Sequence, residues 1–209
     1  MPVEILAKTL LTSVKQPEPW FGLKYNMNLY RGCQHQCIYC DSRSECYQIE
    51  NFSEIQIKIN ALEKLSDEIR RKRVKGTIGL GSMNDPYMPI EKERKLTQGA
   101  LQIIAKAKFP VHVITKSDLI LRDIEILKAI NQVYAAVSFT ITTADDELSK
   151  KIEPGAPVSS RRFAAIKMLT ESGITSGVTM MPILPYINDD EENIRRLINM
   201  AADVGAKYI

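Results

Sequence analysis

Three of the four cysteines stand within eight residues, Cys33-Gln34-His35-Gln36-Cys37-Ile38-Tyr39-Cys40. Thiols this close together cannot be distributed through a core for packing. They converge on a group that accepts several sulfurs at once. Iron–sulfur clusters are held by Cys thiolates, normally four of them. Three ligands without a fourth nearby leave one iron of a [4Fe–4S] cluster open to a non-protein ligand. Zinc is the alternative, but structural zinc sites pair one closely spaced ligand element with a second one downstream. Here the remaining cysteine is the singleton Cys46, and the only histidines are His35 and His112. A zinc knuckle on Cys33, Cys37, Cys40 and Cys46, stabilising a non-catalytic nucleic-acid-binding module, is the rival reading.

The chain around this loop alternates short β-branched runs with helical stretches. Strands are predicted at 25–30, 77–80, 111–115, 134–141 and 174–181. Helices are predicted at 60–73, 96–107, 122–130 and 191–204, with helical material running up to Glu171 before the stop Ser172-Gly173. Ala206-Lys207-Tyr208-Ile209 opens a sixth strand. This alternation predicts an α/β fold with a parallel sheet and right-handed crossovers. Residues 1–24 form an N-terminal extension and 25–209 the core. A sheet that stops as its sixth strand begins is unfinished, so the chain is expected to be part of a longer protein.

Ligands of parallel α/β folds gather at the carboxyl ends of the strands. The cysteine loop follows the first strand. After the second comes Gly81-Ser82-Met83-Asn84-Asp85-Pro86-Tyr87-Met88-Pro89-Ile90-Glu91, a turn-forming run. The third ends in Thr115-Lys116-Ser117, where a lysine can meet a carboxylate. Ser138 and Thr140 at the end of the fourth share a face, because alternate residues do. That pair suits ribose hydroxyls. The link 151–157 carries Glu153-Pro154-Gly155-Ala156-Pro157, and the fifth strand ends in Met181-Pro182-Ile183-Leu184-Pro185, an apolar edge able to cover an adenine.

The triplet resembles the CxxxCxΦC signature of the radical S-adenosylmethionine (SAM) superfamily, Tyr39 filling the aromatic place Φ. With Asn28-Leu29-Tyr30-Arg31-Gly32, Asn84-Asp85-Pro86-Tyr87, Thr115-Lys116-Ser117, Arg122-Asp123, Glu153-Pro154-Gly155 and Pro182-Ile183-Leu184-Pro185 in order, the chain is similar to the spore photoproduct lyase-like group, whose members are described as DNA repair photolyases. The resemblance implies a partial (β/α)₆ TIM-like barrel, with Cys33, Cys37 and Cys40 ligating the cluster. It implies SAM among Tyr39, Asn84, Asp85, Lys116, Ser138, Thr140 and Met181. An electron from an external flavodoxin- or ferredoxin-type reductant then cleaves SAM to a 5′-deoxyadenosyl radical, and DNA is the substrate the resemblance suggests. One position departs. The lyases carry a hydrogen-donating cysteine three residues before the Asp, and here Ser82 stands there. A serine O–H is too strong to surrender its hydrogen atom to a carbon radical, so the lyase relay is not expected to close.

Composition narrows little else. The 209 residues are 44% hydrophobic and 25% charged, with a formal net charge of +3, as in ordinary globular domains. No apolar run reaches the ~18 residues of a membrane helix. The N-terminus lacks a basic stretch followed by an apolar one, so no secretory signal is expected and a reducing cytoplasm is. The basic run Arg70-Arg71-Lys72-Arg73-Val74-Lys75 has no interleaved aromatic residues. It reads as the cationic end of a helix rather than a phosphate-contacting patch.

Overall fold

The computed structural model describes residues 2–16, 20–44 and 52–209. In chain order the strands are β1 (Val3–Ile5), β2 (Thr12–Ser13), β3 (Leu23–Met27), β4 (Tyr30–Arg31), β5 (Gln56–Lys58), β6 (Thr77–Leu80), β7 (Val111–Thr115), β8 (Ala135–Thr140) and β9 (Thr175–Thr179). The helices are α1 (Ala61–Arg70), α2 (Glu91–Arg94), α3 (Leu96–Ala107), α4 (Ile124–Ile130), α5 (Asp146–Ile152), α6 (Ser159–Glu171) and α7 (Glu191–Asp203). The main sheet runs β2-β3-β6-β7-β8-β9, parallel from β3 onward, with β2 antiparallel at its edge. This is the predicted α/β class.

Alternation along these strands divides their side chains between two unlike faces. Ile78, Leu80, Val111, Val113, Val137, Phe139 and Val178 are buried in one core with Leu65, Leu101, Ile104, Leu127, Ile166 and Leu169 of the helices. The opposite face carries Asn26, Gly79, His112, Ser138, Thr140 and Gly177. Parallel strands covered on both faces usually read as continuous apolar runs. A face of small and polar residues is instead the lining of a lumen. The sheet curls around it. Laid flat, the four spacings from β3 to β9 would span about 19 Å. Yet Phe21, before β3, and Tyr208, beyond β9, have ring centroids 5.3 Å apart, and Phe21 stacks on His112 of β7 at 3.7 Å.

Several boundaries shift from the predicted ones for identifiable reasons. The first strand divides at Asn28–Leu29: β3 stays in the main sheet, while β4 leaves it to pair antiparallel with β5, Tyr30 opposite Ile57. This departure swings the cysteine loop across the sheet end. β5 lies in a small second sheet, β1-β5-β4, and the alternation Ile55, Ile57, Ile59 is its mark in the sequence. The helix predicted from Arg122 begins at Ile124, after a 3₁₀ stretch Asp118–Asp123 started by Ser117, whose Oγ accepts from Leu119 N at 3.3 Å. Pro154 and Pro157 separate α5 from α6, since proline ends a helix by lacking an N–H. The last segment does not enter a regular ladder, but lies beside β9 through Lys207 N to Ser176 O (2.8 Å) and Val178 N to Tyr208 O (3.0 Å).

The basic run caps its surroundings. Lys72 Nζ lies 4.9 Å from the centre of the Tyr25 ring and 3.4 Å from Leu11 O, and Lys75 Nζ donates to Ala107 O at 3.1 Å. The segment expected as an extension is stitched to the same body. Asn60 exchanges hydrogen bonds with Ala7, and the Glu68 carboxylate accepts from Leu10 N (3.1 Å) and Leu11 N (2.7 Å). Replacing Glu68→Ala leaves both amides without that acceptor. Urea unfolding is expected to show a loss of about 1–3 kcal/mol, and hydrogen exchange a selective acceleration at Leu10 and Leu11.

Candidate functional site

The cysteine loop begins as β4 ends. Gly32 adopts φ +78°, and a Cβ there would stand 2.7 Å from Phe52 O, so only glycine admits this turn. Cys33 N then donates to Phe52 O at 3.2 Å, and Gln36 reaches back with Nε2 to Cys33 O at 2.8 Å. The far side of the loop rests on the turn between α5 and α6. Ile38 N donates to Ile152 O (2.9 Å) and Gly155 N to His35 O (2.9 Å), while His35 Nδ1 lies 3.0 Å from Gly155 O. The approach is so close that a Cβ on Gly155 would meet Gln34 O at 2.2 Å.

Asp85 braces the loop from the opposite side. Its Oδ1 accepts from Thr115 Oγ1 (2.7 Å) and Tyr87 N (2.8 Å). Its Oδ2 accepts from Lys116 N (2.6 Å) and lies 3.1 Å from His35 Nε2. Burial alone would raise this carboxyl, but the His35 imidazole and the donors from Lys116 and Thr115 hold it down to about 2. Four protein partners occupy the directions in which a carboxylate accepts. Asp85 therefore ties the ends of β6 and β7 to the loop. A second buried network lies beneath. Tyr30 donates its hydroxyl to Glu91, Arg122 bonds both Glu91 (2.9 Å) and Asp123 (2.7 Å), and Tyr87 donates to Asp123 at 3.0 Å. Arg122, Asp123, Tyr87 and Glu91, all within the motifs of the sequence, are thus the frame of the site.

Above this frame opens a cavity of about 470 Å³ at the carboxyl ends of β4, β6, β7, β8 and β9. Cys33, Cys37 and Cys40 all line it, with Tyr39, Asn84, Asp85, Lys116, Thr140 and Met181. Ser138 does not. Its hydroxyl lies deeper in the lumen, 2.7 Å from both His112 Nε2 and Tyr208 Oη. Asn84 is fixed by donating to Tyr30 O at 2.5 Å. Ser82 also borders the cavity, its hydroxyl held in both directions by the Asn26 amide at 2.8 and 3.1 Å. Sequence reasoning named Glu153 only as part of a motif, and missed Arg162 and the bracing role of His35. A carboxylate before Pro-Gly was the available signal, but not which loop it would touch.

Cys33, Cys37 and Cys40 are free thiols, the first two buried. Burial, then the Asp85 carboxylate, pushes the Cys33 thiol up to about 12, and burial also raises Cys37 despite the pull of Lys116. Thiols so placed stay protonated until a metal displaces the proton. Among the described residues no three His, Cys, Asp or Glu side chains close on one point as a single ion requires. An iron–sulfur cluster, which would offer more than one iron to these thiolates, would not ask that of them. The donor set therefore fits a cluster beside a cavity with an inward-facing cation. Cys46, which the zinc reading needs, lies outside the described residues.

A curled, mostly parallel α/β sheet with a cysteine triplet at its carboxyl end is the arrangement this chain presents for comparison with known proteins. Residues 27–198 match the family model of the radical SAM superfamily, and the chain belongs to that family. It is 37% identical over 189 residues to an uncharacterised protein of Methanocaldococcus jannaschii, covering 90% of this chain and 70% of that one. It is 30% identical to an uncharacterised protein of Mycobacterium tuberculosis, covering 97% of this chain and 62% of the other. Its fold is shared with spore photoproduct lyase. A doubly substituted form of that enzyme with bound AdoMet and dinucleoside spore photoproduct superposes with a TM-score of 0.72 at 18% identity, over 98% of this chain and 58% of the lyase. The chain thus spans about three fifths of the mycobacterial protein and of the lyase.

The Gly155 contact is directly testable. Gly155→Ala drives a methyl group into the backbone at Gln34, so iron incorporated on anaerobic reconstitution is expected to fall about tenfold or more. Far-UV circular dichroism should retain the helical signal.

Proposed function

We propose that this chain is a radical SAM enzyme holding a [4Fe–4S] cluster on Cys33, Cys37 and Cys40 and SAM in the adjoining cavity. The single observation behind this reading is that the three thiols and Lys116, Asn84, Tyr39, Thr140 and Met181 line one cavity. When bound, the cluster and SAM supply reductive cleavage of the sulfonium to a 5′-deoxyadenosyl radical. The chain supplies position and exclusion of water. Lys116, half-buried at the end of β7, is a compact cation for the carboxylate of SAM. Asn84 donates from Nδ2 to Tyr30 O, and its side-chain carbonyl is the acceptor this reading assigns to the ammonium group of SAM. Thr140 offers a hydroxyl, and Ile114, Met181 and Pro182 form apolar cover for an adenine. Asp85 serves by holding Lys116 N and His35 in place.

An external reductant of the flavodoxin or ferredoxin type would supply the electron, and a reducing cytoplasm is the compartment this reading expects. No helix among the described residues is long and apolar enough to cross a membrane. DNA is the substrate class to test first, on the likeness of fold to spore photoproduct lyase. Ser82, which bonds Asn26 in both directions, is not assigned as a hydrogen-atom donor, because a serine O–H is too strong to surrender its hydrogen to a carbon radical.

Anaerobic reconstitution is expected to yield brown protein that forms 5′-deoxyadenosine from SAM and dithionite. A colourless zinc protein, or a cluster-loaded one forming none, overturns the reading. Lys116→Met is expected to weaken SAM binding to the loaded protein by about 10–100-fold, measured by equilibrium dialysis, with iron content unchanged.

A further inference from the structure

Glu153 is the least expected residue of the site. It is fully buried in the turn between α5 and α6, yet four side chains converge on its carboxylate. Tyr39 donates its hydroxyl to Oε1, and Lys116 Nζ lies 3.9 Å from the same oxygen. Oε2 lies 2.5 Å from Arg162 Nη2 and accepts from Ser149 Oγ at 3.5 Å. Arg162 is itself fully buried and fixed by donating to Pro157 O (2.7 Å) and Thr140 O (2.8 Å). A charge removed from water is tolerated only when paired and hydrogen-bonded. Arg162 supplies the pairing on one oxygen, which leaves the other directed at the cysteine loop.

The geometry of that second oxygen has a consequence for the thiols. Tyr39 stands between Cys37 and Cys40, and Ile38 N is bonded to Ile152 O one residue before Glu153. One hydroxyl and one amide thus attach the second half of the loop to the turn. Lys116 completes the arrangement, its Nζ 5.7 Å from the centre of the Tyr39 ring. We propose that Glu153, paired with Arg162, is the positioning residue of the cluster site: it fixes Tyr39 between two thiols and holds Lys116 at the end of β7. The α5–α6 turn thereby sets how tightly the loop retains its cluster. This rests on the cluster-binding role proposed for Cys33, Cys37 and Cys40. Groups that orient metal ligands from behind commonly change retention by about 10–100-fold when removed.

Tyr39→Phe separates positioning from folding, since it deletes the hydroxyl and leaves the ring and the Glu153–Arg162 pair. The experiment compares cluster-loaded wild type, Tyr39→Phe and Glu153→Gln. It follows loss of visible absorbance to an iron chelator, with iron and sulfide counted per chain and thermal unfolding of the metal-free forms measured in parallel. Tyr39→Phe is expected to lose its cluster about 10–100-fold faster than wild type, with a similar melting temperature when metal-free. Glu153→Gln should lose it at least as fast, because one amide cannot offer an acceptor oxygen both to Arg162 and to Tyr39 with Lys116, and its charge is gone. Release from Tyr39→Phe at the wild-type rate overturns the proposal, and that variant decides alone if Glu153→Gln does not fold. Wild type that takes up no cluster refutes the function proposed above instead, so the two failures are distinguishable.

Discussion

A loop that presents three thiols to a cavity cannot rely on those side chains alone to hold it in place, even with Cys33 and Cys37 buried. It must be held by its backbone and by the residues between the thiols. Here that is done by two buried carboxylates on opposite sides, Asp85 through His35 and Glu153 through Tyr39. Each is compensated by several donors, as a desolvated charge requires. Backbone bonds from Cys33 to Phe52 and from Ile38 to Ile152 close the loop at both ends. The site depends on this clamp, because Lys116, Thr115 and Tyr87 meet Asp85 while Thr140 and Lys116 meet the Glu153–Arg162 pair.

The sheet beneath obeys a complementary constraint. One face must bury enough apolar surface against the helices to stabilise the fold, while the other must stay small and polar to leave a lumen. Alternation of Val111, Val113, Val137 and Phe139 with His112, Ser138 and Thr140 satisfies both within the same strands. Curling then brings Phe21 against Tyr208, so the lower lumen is filled by aromatic rings and the open space stays at the carboxyl end. A frame of Tyr30, Glu91, Arg122, Asp123 and Tyr87 stiffens the wall where β6 and β7 end.

Much of the fold was legible from periodicity. The strands at 77–80 and 111–115 and the helix at 96–107 have the predicted bounds, because apolar spacing and flanking turn residues act locally there. Misplaced boundaries cluster where side chains leave the local pattern to serve the site. Asn28–Leu29 breaks a strand so that the cysteine loop can cross the sheet end, and Arg122 and Asp123 are drawn from a helix start into the buried frame. The motif residues likewise divide in a way spacing does not show. Asn84, Lys116 and Thr140 face the cavity, Asp85 both faces it and braces it, and Ser138 lies below it.

What the sequence alone determined was local: three thiols within one loop, strands alternating with helices, and polar residues at successive strand ends. Those follow from spacing along the chain, which a periodicity or a short motif records directly. Which of the polar residues meet was decided by the tertiary structure. His35 and Gly155 are 120 positions apart, and Tyr39 and Glu153 are 114 apart. Such contacts exist only once the crossovers have packed α6 against β9 and α5 against α6, and the sheet has curled. The chain's spacing could name Glu153 as a carboxylate before a turn. Only closure of the fold could place it, with Arg162 behind it, under the tyrosine between the thiols.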